Sequence, residues 1–211
     1  MSKKIKKVCV FGATGKTGQR VLEELIKRNY EINAFVRNPR KINNPEINVY
    51  TGNLYSLFDV QKSVEGCSAV ISALGHTKNS DPEMQTKAIS NIINSMQKFG
   101  IKKIISLTGT GVRQKGDKVS FLDMFANLLI EKIDPARIKD GIKHAEKLKF
   151  SNLDWVIIRV LKLTNRGEET FYRLKNEGPA ELLTSRKKVS KIIVDLLETD
   201  RFDRQMPIVS K

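Results

Sequence analysis

The residues best suited to chemistry stand in one short stretch, Gly12-Ala13-Thr14-Gly15-Lys16-Thr17-Gly18, where three glycines spaced G-x-x-G-x-x-G follow the apolar run Val8–Phe11. A strand that enters such a turn and leaves it as an amphipathic helix is the frame in which backbone N–H groups meet a pyrophosphate. Gly12 can make the tight turn, Gly15 lets the backbone approach the anion, and Gly18 lets the helix pack closely on the strand. The anion then sits at the helix N-terminus, where unpaired N–H groups and the dipole favour negative charge by roughly 0.3–1 kcal/mol. Gly15-Lys16-Thr17 also imitates the end of a triphosphate loop. That motif needs glycine at position 10, and Val10 occupies it.

A second constellation is Ala34-Phe35-Val36-Arg37-Asn38-Pro39-Arg40-Lys41, at the end of the second apolar run. NAD-binding folds carry an acid there for the ribose 2′-OH, and this chain carries cations instead. Arg37 is suited to clamp a 2′-phosphate through charge-assisted hydrogen bonds worth about 1.5–3 kcal/mol, roughly a 10- to 100-fold preference. The cofactor expected from these residues is NADP(H). Lys41 reads as an ordinary loop charge, and Arg40 as either a loop charge or a further phosphate ligand.

Candidates for proton transfer are few. Tyr30, Tyr50, Tyr55 and Tyr172 are followed four residues later by Ala34, Leu54, Asp59 and Asn176, so no Tyr-x-x-x-Lys pair exists for alcohol oxidation. Tyr172 is a candidate pocket residue, with packing in a lid as the alternative. His76 follows Leu74-Gly75 beside the expected dinucleotide and is a candidate proton donor, with an exposed loop position as the alternative. His144, in Lys143-His144-Ala145-Glu146, reads as structural or exposed. No Ser/His/Asp or Cys/His arrangement suggests a hydrolase, and no cluster with ligand spacing suggests a metal site. Hydride transfer to a conjugated acceptor asks less of a protein, mainly alignment, because the acceptor spreads the charge and solvent can supply the proton.

The elements that must position these residues alternate short β-branched runs with segments of helical period, the pattern of βαβ units around a parallel sheet. Strands are expected at Val8–Phe11, Ile32–Val36, Asn48–Tyr50, Ala69–Ala73, Lys103–Leu107, Trp155–Arg159 and around Pro207–Val209. Val21, Leu22, Leu25 and Ile26 mark one buried helical face, Ile89, Ile92, Ile93 and Met96 a second, and Val189, Ile192, Ile193, Leu196 and Leu197 a third. Two stretches break the rhythm, Thr108–Lys118 and Leu161–Leu183; both follow a strand and would wall a ligand at the carboxyl edge. The fold class is therefore α/β: a single Rossmann-type, doubly wound parallel sheet with helices on both faces and a small C-terminal substrate region, in one domain over residues 1–211.

The chain has 211 residues, 38 basic against 23 acidic, and a formal net charge of +15. Such an excess attracts anions of any kind, but no recognition-helix or aromatic-interleaved basic motif supports nucleic acid as the partner. Cys9 and Cys67 lie in apolar runs and read as buried free thiols. The apolar run after the basic start breaks at Gly12, too soon for a signal peptide, and no stretch is long enough to span a bilayer. A cytoplasmic protein is expected.

Gly12–Gly18, Val36-Arg37-Asn38-Pro39, Gly52-Asn53-Leu54, Val70-Ile71-Ser72-Ala73-Leu74-Gly75 and Leu153-Asp154-Trp155-Val156-Ile157-Ile158-Arg159 together resemble the atypical short-chain dehydrogenase/reductases with an NAD(P)H-binding domain. Within them the chain is most similar to the biliverdin reductase B/flavin reductase type and to NmrA-like proteins. The resemblance implies NADP(H), with Gly12, Thr14, Gly15, Lys16, Thr17 and Gly18 at the phosphates and Arg37 at the 2′-phosphate. It also implies Asn53 and Leu54 beside the adenine, Leu74 and Gly75 beside the ribose, and Thr108 on the nicotinamide side. Two departures bear on activity: Asn53 replaces a usual Asp, and Gly109 stands where flavin-reductase-like members place a serine, leaving Thr110 as the nearest substitute hydroxyl. The expected function is reduction of a planar conjugated acceptor, a flavin, quinone or tetrapyrrole, near His76, Thr110 and Tyr172. The alternative is a non-catalytic NADP(H) sensor that acts through a protein or nucleic-acid partner.

Overall fold

A computed structural model describes residues 6–77, 79–167 and 171–210; the basic start with Lys3 and Lys4, and part of the Leu161–Leu183 stretch, lie outside them. In chain order the elements are β1 (Lys7–Phe11), α1 (Lys16–Lys27), β2 (Glu31–Val36), β3 (Ile47–Thr51), α2 (Leu57–Val64), β4 (Ala69–Ser72), α3 (Met84–Lys98) and β5 (Lys103–Gly109). They continue with α4 (Phe121–Ile133), α5 (Pro135–Lys149), β6 (Asp154–Val160), β7 (Leu163–Thr164), β8 (Arg173–Lys175), β9 (Thr184–Ser185), α6 (Arg186–Asp195) and β10 (Ile208–Ser210).

Eight strands form one sheet in the order β3-β2-β1-β4-β5-β6-β10-β8. β1 pairs in parallel with β2 on one side and β4 on the other, so the winding reverses at β1. Helices from the two halves diverge there and leave a crevice at the carboxyl edge. Alternation along β1 sends Val8 and Val10 to the face covered by α1 and α6, and Cys9 and Phe11 to the face covered by α2, α3 and α5. The α1 stripe buries Val21, Leu22 and Leu25, each contributing roughly 1.5–3 kcal/mol. Both cysteines are buried and free.

The seven expected strands are present, and an eighth was not expected. β8 comes from the polar Leu161–Leu183 stretch and pairs antiparallel with β10, so the sheet is mostly rather than wholly parallel. β7 of the same stretch pairs with β9, which begins just after it. These strands are two or three residues long with no apolar alternation, which is why they read as loop. α4 is also irregular in burial. It buries Asp123 while Phe121, Leu122, Met124, Phe125, Leu128, Leu129 and Ile133 stay exposed.

Candidate functional site at the carboxyl edge

β1 delivers the chain into Gly12, whose φ of +78° favours glycine. A Cβ there would stand 2.6 Å from the Ala73 carbonyl oxygen at the end of β4. The Gly15 N–H donates to the Gly12 carbonyl at 3.0 Å and closes the turn. At Gly18 a Cβ would stand only 2.1 Å from that same carbonyl. Gly15 caps α1 in an extended conformation, with no side-chain acceptor and no acid in the first turn. The leading N–H groups of α1 are therefore free to face an anion. A turn this close, with glycines at its three tightest points, fits the pyrophosphate of a dinucleotide.

Two clefts meet in front of it. The first, about 520 Å³, is lined by Gly12, Thr14, Gly15, Arg37, Asn53 and Leu54, among others. The second, about 400 Å³, is lined by Thr17, His76, Thr108 and Thr110, among others. Ala73, Leu74 and Gly75 line both. Lys16 and Gly18 line neither; Lys16 is exposed and Gly18 is a packing contact. Arg37 is exposed and forms no ion pair among the described residues. Lys41, read as a loop charge, lines the first cleft, whereas Arg40 does not. Asn38 explains the difference: its side chain accepts from the Arg40 N–H and starts a short 3-10 turn over Pro39–Lys41. Asn53 spends one acceptor position on the Tyr55 N–H at 3.0 Å, and its own N–H donates to Asp59 at 2.9 Å.

His76 is neither loose nor exposed. Its Nε2 lies 2.7 Å from Oδ2 of Asp140, and its side chain is 9 % accessible. Asp140, on α5, also accepts from the Gln85 and Thr86 N–H groups at 2.8 and 2.9 Å and from the Thr86 hydroxyl at 2.5 Å. It thus caps α3 from another helix, since Glu83 makes no side-chain cap there. Gln85 donates its side-chain N–H to the Leu74 carbonyl at 2.8 Å, tying the cap to the lip shared by the two clefts. One turn along α5, His144 is buried with Nε2 3.0 Å from the Ser106 hydroxyl and Nδ1 unpaired. Burial pushes its pKa down to about 4, against the opposing charge of Asp140, so the ring is neutral near pH 7.

Thr110 does not hold a spare hydroxyl. It donates to Asp123 at 2.6 Å and accepts from Asn127 at 3.1 Å, while Arg113 donates to the other Asp123 oxygen at 2.7 Å. At Gly109 a Cβ would meet nothing closer than 4.0 Å, so packing does not exclude a side chain there. Tyr172 lines neither cleft; its hydroxyl donates to Asp195 on α6 at 2.5 Å. An aromatic in this segment packs on the sheet because β8 and β10 carry it to the far edge. The Thr108–Lys118 wall is held by Arg159 at the end of β6, fully buried, whose two terminal nitrogens donate to Asp117 at 2.5 and 2.9 Å. Burial pushes the Asp117 carboxyl up, but the Arg159 hydrogen bonds outweigh it and hold its pKa below the ordinary range.

Asp140, Asp123 and Asp117 have no sequence signal, and Arg159 enters only as the end of a strand motif, because each finds its partner across a loop or a helix that only folding brings near. Among the described residues no metal-binding group of His, Cys, Asp or Glu forms, and no helix is long and apolar enough to cross a membrane.

The profile of one family, described as NAD(P)H-binding, matches residues 12–200. An uncharacterized chloroplastic protein of Arabidopsis thaliana is 28 % identical over 180 residues, covering 77 % of this chain and 61 % of that protein. The decarboxylating sterol-4-alpha-carboxylate 3-dehydrogenase of Mus musculus is 28 % identical over 138 residues, 65 % of this chain and 34 % of that enzyme. The chain thus spans from about a third to three fifths of these relatives' length. In fold it is similar to a short-chain dehydrogenase/reductase from Veillonella parvula in complex with NADP, with TM-score 0.81, 20 % identity and coverage of 99 % and 95 % of the two chains. An anaerobillin reductase from Escherichia coli O157:H7 superposes with TM-score 0.81 at 19 % identity, covering 97 % of each chain.

Proposed function

Because the chain belongs to the NAD(P)H-binding family, we propose that it is an NADPH-dependent reductase of a planar conjugated acceptor. The observation that carries this reading is the meeting of two clefts at Ala73, Leu74 and Gly75, with the glycine turn between them and Arg37 at one end. In this reading Gly12, Thr14, Gly15, Lys16, Thr17 and Gly18 serve the pyrophosphate, through backbone N–H groups and through the close approach of helix to strand. Arg37, joined by Lys41, takes the 2′-phosphate. Asn53 and Leu54 border the adenine, Leu74 and Gly75 the ribose, and Thr108 the nicotinamide. When bound, the dihydronicotinamide supplies the hydride. The chain supplies alignment: the second cleft leaves an opening of about 400 Å³ beside Thr108, room for a ring system to stack. His76, with Nε2 held by Asp140, keeps Nδ1 for exchanging a proton at the acceptor.

Support for reduction comes from the fold shared with the anaerobillin reductase, whose name gives a tetrapyrrole-type acceptor, and from the absent Tyr-x-x-x-Lys pair. The test is acceptor-dependent loss of NADPH absorbance with flavin, quinone and tetrapyrrole acceptors. Tight NADPH binding without turnover on any of them would overturn the reading. The sensor alternative is favoured by one observation, the exposed apolar side chains of α4 beside the second cleft. It requires a partner whose affinity differs between NADP+ and NADPH forms, since equal affinity shifts no equilibrium.

A further inference from the structure

The second cleft is one-sided in charge. Arg137, Lys162 and Arg186 line it, and no aspartate or glutamate does so among the described residues. None of the three forms an ion pair among those residues, although the same described residues make fourteen other pairs. One of the cations occupies a costly position. Arg186 is the first residue of α6, whose first turn contains no acid and whose cap is Ser185, whereas Arg137, third in α5, follows the capping carboxylate of Asp134. A helix dipole disfavours a cation at that end, so the Arg186 guanidinium is placed against its local field. Arg186 is held in place, donating from Nη1 to the Asn165 side chain at 2.8 Å, while its Nε is buried with no hydrogen-bond partner. A buried donor on a charged group is expensive to leave unmade. Lys162 is fixed through its backbone, whose carbonyl accepts from Thr184 at 2.9 Å beside the β7–β9 pair.

Resting on the reductase reading above, we infer that the acceptor carries a carboxylate or phosphate, and that Arg186, Lys162 and Arg137 hold this acid group at the cleft wall. An anion there satisfies the stranded Arg186 N–H and offsets the unfavourable field at the start of α6. The conjugated ring then points inward, towards Thr108, with its charged arm outward. The three cations thereby choose among flat acceptors that would otherwise stack equally well, and a neutral ring system is discriminated against by the field it leaves uncompensated.

Matched pairs test this by binding rather than by turnover. Calorimetric titration of the NADP+-saturated protein compares FMN with riboflavin, which differ by one phosphate, and biliverdin with its dimethyl ester, which differ by two carboxylates. The expected result is a preference of tenfold or more for the acidic member of at least one pair, shrinking as salt is raised; which pair shows it separates phosphate from carboxylate. Arg186→Gln and Lys162→Gln should each cut that preference several-fold while leaving the neutral member's affinity and the NADPH affinity unchanged. Equal affinities within both pairs, equal losses for both members in the variants, or failure of both acidic ligands to bind would overturn the inference. So would variants that weaken NADPH by the same factor, because the cations would then belong to the cofactor. The two readings fail separately. FMN bound tightly while no flavin, quinone or tetrapyrrole is ever reduced removes the reductase and keeps the acid subsite, whereas charged and neutral flavins bound and reduced alike do the opposite.

Discussion

At the scale of single side chains, the residue that discriminates between the two nicotinamide cofactors is expected to be Arg37. It is exposed at the rim of the first cleft with no ion pair among the described residues, so its charge is available to a ligand. Replacing Arg37 with Ala should cost NADPH binding about 1.5–3 kcal/mol, roughly 10- to 100-fold, and leave NADH binding almost unchanged. Titration of the variant with each cofactor checks it; an equal loss for both would move the 2′-phosphate elsewhere, with Lys41 the next candidate. Gly18 sets a different kind of limit. A methyl group there would lie 2.1 Å from the Gly12 carbonyl, so Gly18→Ala must push α1 off β1. Overpacking of this kind costs about 1–3 kcal/mol or more, and it should abolish cofactor binding before it abolishes the fold.

Among the elements, the two walls of the second cleft are held by carboxylates that act at a distance in the chain. Asp140 of α5 caps α3 and holds His76; Asp117 secures the loop after β5 to Arg159 of β6. Arg159 also donates to the carbonyls of Met206, Val112 and Asn176, so it joins that loop to the β8 and β10 edge. Removing Asp117 strands a fully buried guanidinium, and Asp117→Ala should destabilise by about 3–5 kcal/mol. The urea midpoint should fall with little change in slope, and a shift below about 1 kcal/mol would mean that water repairs the site. Asp140→Ala loses three hydrogen bonds to a charged acceptor around α3 and should cost about 2–3 kcal/mol. It should also free His76, so turnover should fall relative to NADPH affinity in Asp140→Ala and not in Asp117→Ala.

For the molecule as a whole, stability should depend on pH in separate windows. His144 is depressed to about 4, so between pH 6.5 and 4 the unfolded chain binds a proton that the folded chain refuses. Its contribution is therefore complete above pH 6.5 and falls by about 3 kcal/mol by pH 4. Below that, the depressed Asp117 begins to protonate and the Arg159 pair weakens. On the alkaline side, burial raises Cys67 to about 11, so its contribution is present below pH 9 and is lost as pH climbs towards 11. Urea midpoints at pH 7 and pH 4.5 check the first window; His144→Gln, which cannot gain charge, should flatten it. An unchanged slope in that variant would assign the acid limb to other groups.

The seven strands, the helical stripes on α1, α3 and α6, the glycine turn and the cationic end of β2 are all legible in the chain of residues. Each is written in residues adjacent or a few positions apart, where period and backbone chemistry act locally. Packing in three dimensions is what turns Tyr172 away from the clefts, commits the Thr110 proton to Asp123, and brings Lys41 rather than Arg40 to the first cleft. The same packing sets Arg137, Lys162 and Arg186 on one wall of the second cleft, with no carboxylate lining it among the described residues. Such outcomes turn on where a side chain's single proton or charge finds its partner. Partners 42 and 64 residues apart, as for Asp117 with Arg159 and His76 with Asp140, are chosen by packing and leave no periodic trace in the chain.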